Sequence, residues 1–400
     1  MKKFKRVFVI VMDSVGIGEM KDAERFSDRG ANTFVHVSEA KNGLTIPNLN
    51  RLGLYDLDHR IRGTEKVEHP HSYCLKLEEA SNGKDTMTGH WEMMGILTEK
   101  PFKTFTDTGF PKELIEELEA RTGRHIVGNI AASGTEIIKE YGEHQMKTGD
   151  LIVYTSSDSV LQICGHEEVI PLEELYRCCA IAREICLRPE YLLGRIIARP
   201  YVGTNKDNFK RTSNRHDYAL SPSGRTYMDI LKDNGYATIC VGKISDIFNG
   251  VGVGEKIKTV SNRDGMEKTI ALLERDFTGL CFVNLVEFDS EYGHRRNPLG
   301  YASCIEEFDV QLGELIGKMK EDDLLMVTAD HGNDPIHHGT DHTREMVPLL
   351  LYSGSLNRGR ELPNQLSFGC IGRTIVENFG LKKENQIGEV IEEVFEDENC

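Results

Sequence analysis

The stretch that decides the fold runs from residue 324 to residue 334 and reads Leu-Leu-Met-Val-Thr-Ala-Asp-His-Gly-Asn-Asp. Its apolar half predicts a strand buried on both faces. Similar runs predict strands at Val7 to Met12, Ala237 to Val241, Leu280 to Val286 and Val347 to Tyr352. Helical spacing occurs between them at Thr226 to Asn234, Asp264 to Arg275 and Ser303 to Lys320. This alternation predicts an α/β fold with a doubly wound sheet.

Several of these strands end in a carboxylate or an imidazole. Asp13 follows the first strand, Asp289 and His294 follow another, and Asp330 with His331 follow a third. Ligands bind at the carboxyl ends of strands in open α/β sheets, so we expect these side chains to converge.

With His342 the set contains three carboxylates and three imidazoles, enough to hold two divalent metals. Oxygen and nitrogen ligands together favour Mn²⁺ or Zn²⁺ over Mg²⁺ or Ca²⁺. Any one of these residues alone is better explained as a helix cap or a surface group, but five of six past strand ends favour a metal centre. Spacing does not divide the six between two metals.

The middle of the chain has a different character and lacks the pattern of strands ending in Asp or His. It contains its own apolar strand, Asp150 to Thr155, and a helix, Leu172 to Cys186. We therefore predict a metal-binding catalytic core formed by residues 1–100 and 218–400, with residues 101–217 as an inserted cap domain that binds substrate.

Composition restricts the function classes. The 400 residues include 39% hydrophobic and 28% charged side chains, which is typical of a globular protein, and carry a formal net charge of −16. This charge disfavours nucleic acid and anionic membranes as partners, and a phosphorylated substrate would need metal ions or clustered Arg and Lys. Val7 to Met12 is too short to span a membrane. Ten cysteines without paired spacing predict reduced thiols in the cytoplasm. No obligatory protein partner is evident.

The segment from Lys84 to Glu92 offers a candidate nucleophile, Thr86, just before a predicted helix. A helix N-terminus favours a phosphate bound there, and a metal would lower the pKa of the hydroxyl. Local sequence alone favours a simpler interpretation, in which Asp85, Thr86 or Thr88 is an N-cap. His90 and Glu92 fit either packing or support of the site equally well.

Five segments resemble signature segments of the phosphopentomutase family, which belongs to the alkaline phosphatase superfamily. The resemblance covers nearly the whole chain in the right order, including a cap-like middle. It implies a doubly wound alkaline-phosphatase-like core with a smaller inserted α/β cap domain. Two positions depart from the family: Asn297 replaces the usual acid, and Met346 replaces an expected aromatic residue. The segments are Val11 to Gly18, Lys84 to Glu92, Tyr292 to Arg296, Asp330 to Asp334 and Thr340 to Glu345.

The resemblance implies specific roles for the site residues. Two Mn²⁺ ions would be held, one by Asp289, His294 and His342 and the other by Asp13, Asp330 and His331. Thr86 would carry phosphate and would face the second ion or bridge both. Mn²⁺ is the family expectation over Zn²⁺. Ser156 and Asp158 would bind the sugar, and Arg195, Arg211 and Lys243 would lie near the distal phosphate. For each basic residue, a solvated surface charge is an equal alternative.

The implied activity is that of an isomerase in nucleotide and pentose phosphate metabolism. It would interconvert α-D-ribose 1-phosphate, or 2-deoxyribose 1-phosphate, and the 5-phosphate through a phosphothreonine and a bisphosphate intermediate. Glucose 1,6-bisphosphate or ribose 1,5-bisphosphate would prime Thr86. The alternatives on the same core are a phosphatase or phosphodiesterase and a cofactor-independent phosphoglycerate mutase, which uses Ser as nucleophile. An alternative of another class is a catalytically silent metal-binding scaffold.

Overall fold

A computed structural model describes residues 3–156 and 159–396 of the chain. The predicted sugar ligand Asp158 lies outside the described residues. The chain divides into two compact units, one formed by Met1–Pro101 with Ser221–Cys400 and the other by Phe102–Leu220. The cap function predicted for residues 101–217 stays a prediction.

The strands of the described residues are, in chain order, β1 (Arg6–Met12), β2 (Ser72–Leu77), β3 (Ile126–Ala131), β4 (Leu151–Thr155), β5 (Val160–His166), β6 (Arg195–Val202), β7 (Lys210–Arg211), β8 (His216–Ala219), β9 (Ala237–Val241), β10 (Glu255–Ile257), β11 (Gly279–Leu285), β12 (Asp323–Thr328) and β13 (Val347–Tyr352).

The α-helices are α1 (Thr33–Ala40), α2 (Pro47–Arg51), α3 (Leu54–Leu57), α4 (Thr86–Met93), α5 (Lys112–Thr122), α6 (Gly134–Thr148), α7 (Leu172–Ile185), α8 (Tyr227–Asp233), α9 (Ile244–Ile247), α10 (Asn262–Leu272), α11 (Pro298–Lys318) and α12 (Cys370–Asn378). A π-helix spans Phe288–Gly293, and 3₁₀ helices span Ala23–Phe26 and Glu392–Phe395. None of the helices among the described residues combines the length and the apolar character that a membrane span needs.

The first unit is built on a seven-stranded sheet in the order β10-β9-β11-β1-β12-β13-β2. The five strands from β10 to β12 are parallel, and β13 runs antiparallel to both of its neighbours. Every residue of β1, β11 and β12 is buried, which explains their continuous apolar sequence. Helices α1, α2, α10 and α11 pack together, and α4 packs with α9 and α12 in a separate layer with α8. The predicted doubly wound α/β class is confirmed.

One helix begins earlier than predicted. The sequence predicts its start at Ser303, whereas α11 begins at Pro298. Asn297 caps it by accepting a hydrogen bond from the backbone N–H of Gly300 at 2.9 Å, and proline fits the first helical position because its missing N–H is not needed there. Asn297, one of the two departures from the family pattern, is therefore a helix cap.

The second unit has a sheet of its own in the order β3-β4-β5-β6-β7, with β8 also paired to β6. Strands β4 and β5 form an antiparallel pair, and β6 lies parallel to β5 with Arg195 opposite Val160. Apolar residues of α5 and α7 pack in one buried cluster with the sheet, and residues of α6 pack in another. Helices therefore cover both faces of this smaller sheet.

Candidate active site

Three neighbouring parallel strands deliver the predicted metal ligands to one sheet edge. Strand β1 lies between β11 and β12, and all three run in the same direction. Asp13 directly follows β1, Asp289 lies four residues after β11, and Asp330 lies two residues after β12. Hydrogen-bonded strands lie about 4.8 Å apart, so the fold alone brings these carboxylates close together.

Asp13, Asp330 and His331 form a fully buried cluster, which we call the inner group. Their ligand atoms all lie within 4.8 Å of one another. The Nε2 atom of His331 is 3.5 Å from Asp13 Oδ1 and 3.3 Å from Asp330 Oδ2, and none of the three side chains is more than 1% exposed. Two carboxylates therefore share this site with one imidazole.

Hydrogen bonds orient the inner carboxylates from behind. Asn284 donates to Asp13 Oδ2 at 2.7 Å, and the backbone N–H of Ser14 donates to Asp330 Oδ1 at 3.0 Å. The remaining oxygens, Asp13 Oδ1 and Asp330 Oδ2, are buried without a hydrogen-bond partner. Burial, and after it the negative charge of Asp330, raises the pKa of Asp13 to about 7. Burial lowers the pKa of His331, but Asp330 and Asp13 outweigh it and raise this pKa, so this single imidazole is the only positive group among the three residues and does not balance both carboxylates.

Asp289, His294 and His342 form the outer group, and the π-helix places the first two. The backbone N–H of His294 donates to the carbonyl of Asp289 at 3.0 Å, a bond that spans five residues. This wider turn sets the two side chains one above the other. Asp289 Oδ2 is 3.1 Å from His294 Nε2, and Asp289 Oδ1 is 3.5 Å from His342 Nε2.

The outer group differs from the inner group in charge and in exposure. It contains one carboxylate and two imidazoles, and the His294 side chain is 19% exposed. Burial alone would raise the pKa of Asp289, but His342 and His294 outweigh it and hold this pKa well below its usual range. Asn333 donates to Asp289 Oδ1 at 2.7 Å and orients the carboxylate.

The donor atoms of both groups fit divalent metal ions. The Nδ1 atoms of His294 and His342 lie 2.8 and 3.0 Å from the carbonyls of Thr340 and Lys84, so each Nδ1 carries the proton. Their Nε2 atoms, 3.0 Å apart, then offer lone pairs to the same point. A cation there, and another beside the orphaned inner oxygens, would satisfy atoms that the protein itself leaves facing one another.

Thr86 lies beside the inner group. It is the first residue of α4, and its Oγ1 is 3.2 Å from His331 Nε2. The N-cap is Asp85, which accepts from the backbone N–H of Thr88 at 3.0 Å. Because Asp85 performs the capping, the hydroxyl of Thr86 is left to face the inner group, where a helix N-terminus favours phosphate.

Close packing holds α4 against the inner group. A Cβ on Gly89 would lie 2.2 Å from the carbonyl oxygen of Asp330, so only glycine permits this approach. His90 is buried with its Nδ1 2.8 Å from the Thr86 carbonyl and 3.2 Å from Asp330 Oδ2. Glu92 accepts from the backbone N–H groups of Ala80 and Ser81 and thereby clamps the loop before the helix. His90 therefore supports the site, and Glu92 supports the fold around it.

The comparisons with known proteins agree with this geometry. A family model described as the Metalloenzyme superfamily matches residues 5–383. A phosphopentomutase from Clostridium beijerinckii is 60% identical over 392 residues, which cover 98% of this chain and 99% of that protein. One from Clostridium tetani is 59% identical over 394 residues, with 98% and 99% covered. This chain belongs to the phosphopentomutase family.

Family membership confirms the predicted resemblance, and the metalloenzyme match together with the two ligand groups makes the chain a metal-dependent enzyme. A solved phosphoglycerate mutase from Leishmania mexicana is 13% identical with a TM-score of 0.48, and the comparison covers 98% of both chains. That similarity is too remote to bear on activity. Identity to phosphopentomutases is more than four times higher.

Three of the residues that the family resemblance implies for substrate binding lie in the second unit. Ser156 follows β4, and Arg195 begins β6 opposite the first residue of β5, so both lie at one edge of this sheet. Arg211 pairs with Tyr201 at the far end of β6, but a Cβ on Gly134 would lie 3.2 Å from its Nη1 and 2.4 Å from the Tyr154 hydroxyl. Its guanidinium therefore reaches back toward the end of β4.

Lys243 lies in the first unit. It follows β9 by two residues, is exposed, and occupies the cap position of α9. Because β9 neighbours β11 in parallel, Lys243 lies at the same carboxyl-end edge as the inner and outer groups.

Sequence reasoning missed a further arginine in the second unit. Arg199 lies on β6, and its Nε donates to Gln162 at 2.9 Å. Burial, and then the positive charges of Arg215 and Arg211, lowers its pKa. The pKa of Asp217 is low although burial raises it, because Arg215, Arg195 and Arg199 outweigh the burial. Arg195 and Arg199 are four residues apart on β6 and therefore lie on one strand face, a spacing that could have revealed this basic cluster.

Proposed function

We propose that this protein interconverts α-D-ribose 1-phosphate, or 2-deoxyribose 1-phosphate, and the corresponding 5-phosphate with Thr86 as the phosphoryl carrier. The observation that carries the proposal is the position of Thr86 Oγ1, at a helix N-terminus and 3.2 Å from His331 Nε2 in the inner group. Identity of 60% to a named phosphopentomutase over 98% of the chain supports the substrate class.

The proposed reaction begins with phosphate on Thr86. The bond between phosphorus and Thr86 Oγ1 breaks as a bond forms from phosphorus to O5 of ribose 1-phosphate, which gives ribose 1,5-bisphosphate. The proton of the 5-hydroxyl passes to Thr86 Oγ1 in this step. The bisphosphate then presents its C1 phosphate: the bond between phosphorus and O1 breaks as a bond forms from phosphorus to Thr86 Oγ1, the Thr86 proton passes to O1, and ribose 5-phosphate is released. The phosphate count is unchanged, so the net reaction is an isomerisation.

Residues of the first unit prepare this transfer. Thr86 is the first residue of α4, so the helix N-terminus would favour the negative charge of a phosphate carried on it. Asp13, Asp330 and His331 would hold one divalent cation, and Asp289, His294 and His342 would hold the other. The bound cations would supply the positive charge that lowers the pKa of the Thr86 hydroxyl and neutralises the phosphoryl oxygens.

Residues of the second unit would recognise the sugar phosphate. Arg195 and Arg211 belong to a cluster of arginines that has Asp217 as an acidic neighbour, and a guanidinium grips phosphate through paired hydrogen bonds. Arg199 joins them as a third candidate. Ser156 and Asp158 remain the proposed sugar ligands, and Lys243 the proposed basic group of the first unit. As the predicted cap, this unit would exclude the water that competes for the phosphothreonine.

Three finer proposals concern the metal ion, the activator and the location of the protein. Mn²⁺ is the proposed native metal, since a site with three carboxylates and three imidazoles suits it and the family resemblance implies it. A sugar bisphosphate, either glucose 1,6-bisphosphate or ribose 1,5-bisphosphate, is the proposed activator that first places phosphate on Thr86. The cytoplasm is the proposed location, because the ten cysteines lack the paired spacing of a disulfide framework.

The test is conversion of ribose 1-phosphate to ribose 5-phosphate by the purified protein with Mn²⁺, with and without a catalytic trace of glucose 1,6-bisphosphate, while free phosphate is measured. We expect conversion without phosphate release and stimulation by the bisphosphate. Free phosphate as the main product would instead identify a phosphatase on the same core.

The variant Thr86→Ala tests the carrier. It should reduce mutase activity to the background of the assay while both metal ions still bind, because the hydroxyl that accepts phosphate is gone and the ligands remain. Thr86→Ser, which keeps a hydroxyl, is the matched control and should retain measurable turnover. Turnover by Thr86→Ala equal to that of the unmodified protein would remove Thr86 from the mechanism.

A further inference from the structure

The guanidinium of Arg296 makes hydrogen bonds to several segments at once. Its Nη1 donates to the Asn333 side-chain oxygen at 2.8 Å, to the Asp334 carbonyl at 2.9 Å and to the Gly293 carbonyl at 3.3 Å. Its Nε donates to the Gly339 carbonyl at 2.5 Å, and its Nη2 donates to the Asp341 carbonyl at 3.2 Å. One half-buried side chain therefore joins three stretches of the chain.

Two of these stretches carry the three ligands of the outer group, and the third, with Asn333 and Asp334, follows the inner ligands Asp330 and His331. Gly293 ends the π-helix that contains Asp289 and directly precedes His294. Gly339 and Asp341 lie in the loop that leads to His342. Arg296 thus contacts the backbone beside two of the three outer ligands.

The third ligand is reached through Asn333. The Asn333 amide accepts from Arg296 with its oxygen and donates to Asp289 Oδ1 with its nitrogen at 2.7 Å. Since the oxygen faces a guanidinium, which only donates, the orientation of this amide is fixed. A Cβ on Gly293 would lie 2.7 Å from the Asn333 nitrogen, so a glycine is required where the amide passes.

The backbone of Arg296 is unusual for an arginine. Its φ is 51°, in the left-handed region, which costs free energy for residues other than glycine. A glycine would adopt this turn without strain but would lose every bond of the guanidinium. The position is therefore better explained by its side chain than by its turn.

We propose that Arg296 is a positioning residue that holds the outer group in its metal-binding geometry, through Asn333 for Asp289 and through the backbone for His294 and His342. The inference rests on the proposed metal centre. The carboxylates of the inner group are oriented by other groups, namely the Asn284 side chain and the backbone N–H of Ser14. Arg296 should therefore affect one of two bound ions.

The test is a calorimetric Mn²⁺ titration of the metal-free full-length protein and of the variant Arg296→Lys. Lysine keeps the charge but lacks the planar fork that spans these acceptors. We expect the unmodified protein to bind two Mn²⁺ ions. In Arg296→Lys the affinity for one ion should fall by roughly 10–100-fold, as is typical of residues that orient metal ligands, and the affinity for the other should not change.

Arg295→Lys is the matched control. Arg295 is the neighbouring residue, its side chain is 65% exposed, and it pairs with Glu291 at 2.8 Å. This variant should bind both ions as the unmodified protein does. Unchanged binding of both ions by Arg296→Lys, or equal loss of both, would overturn the proposal.

Two further variants complete the design. In a His294→Gln background the outer site is already damaged, so adding Arg296→Lys should weaken Mn²⁺ binding no further. If Arg296→Lys does not fold, Asn333→Ala carries the test, because it removes the bond to Asp289 and should weaken the same single ion. Failure of the unmodified protein to bind two ions would instead refute the metal centre itself, which separates the two hypotheses.

Discussion

The inner and outer groups lie at one sheet edge but are constructed differently. The inner group has two carboxylates and one imidazole and is at most 1% exposed, whereas the outer group has one carboxylate, two imidazoles and a partly exposed His294. The inner residues lie within three residues of the ends of β1 and β12, and the outer residues depend on a π-helix and a loop. We infer that the inner group is a rigid, oxygen-rich site and the outer group a more adaptable, nitrogen-rich one.

The two groups differ in the metal ions that their ligands favour. Two buried carboxylates favour a hard cation, since leaving both charges buried and unpaired is costly. Two imidazoles and one carboxylate favour softer ions such as Zn²⁺ over Mn²⁺. We therefore expect Zn²⁺ to compete with Mn²⁺ more effectively at the outer group than at the inner group.

Ligand removal tests the contrast with the largest expected effect. Asp330→Asn deletes one of two inner charges and should lower Mn²⁺ affinity by more than the roughly 100-fold typical of supporting residues, with activity lost. His294→Gln in the outer group should lower affinity less and preserve the other ion. Metal content after gel filtration, measured for both variants at the same protein concentration, gives the comparison. Equal losses would show that the two groups do not differ as we infer.

The sequence predicted the strands beneath the inner group and the convergence of their polar ends, whereas the division of the six ligands into two groups came only from the family resemblance. Asp13 directly follows one continuous apolar strand and Asp330 lies two residues after another, and the parallel order of such strands brings their ends together. The strand expected at Val347 to Tyr352 is β13 with the same bounds. The sequence pattern predicts these strands correctly because a strand that is buried on both faces must be continuously apolar.

The outer group and the supporting residues could not be predicted in the same way. Asp289 and His294 are five residues apart. Residues at this spacing do not lie on the same face of an α-helix or of a strand, and only the π-helix aligns these two. Arg296 and Asn333 are 37 residues apart and meet through a turn with positive φ. Such contacts depend on loop conformation, which has no period in the sequence.

The approach of α4 to the inner group is tested by Gly89→Ala, with a smaller expected effect. The added methyl would lie 2.2 Å from the Asp330 carbonyl oxygen, so the helix must shift and carry Thr86 away from His331. We expect a large loss of turnover and a destabilisation of about 1–3 kcal/mol, typical of overpacking. Both are measured by the mutase assay and by denaturant unfolding.

Gly317→Ala is the control for that variant. Gly317 lies in α11, and a Cβ there would meet nothing within 4 Å. It should leave turnover unchanged and stabilise the protein by up to about 1 kcal/mol, because alanine favours helix. A Gly89→Ala protein that behaved like this control would mean that the contact with Asp330 does not position Thr86.

The smallest expected effect concerns a single hydroxyl behind the inner group. The buried Tyr301 hydroxyl lies 2.8 Å from Ser14 Oγ, and the backbone N–H of Ser14, whose φ is 72°, orients Asp330. Tyr301→Phe leaves the Ser14 hydroxyl without its partner, which should cost about 1–3 kcal/mol in the free energy of unfolding. Because strand β1 and the Asn284 bond still hold Asp13, Mn²⁺ affinity should fall only a few-fold, measured by the same calorimetric titration. A loss as large as that of Arg296→Lys would show that the inner group also depends on its surroundings, and the distinction between a rigid and an adaptable site would then fail.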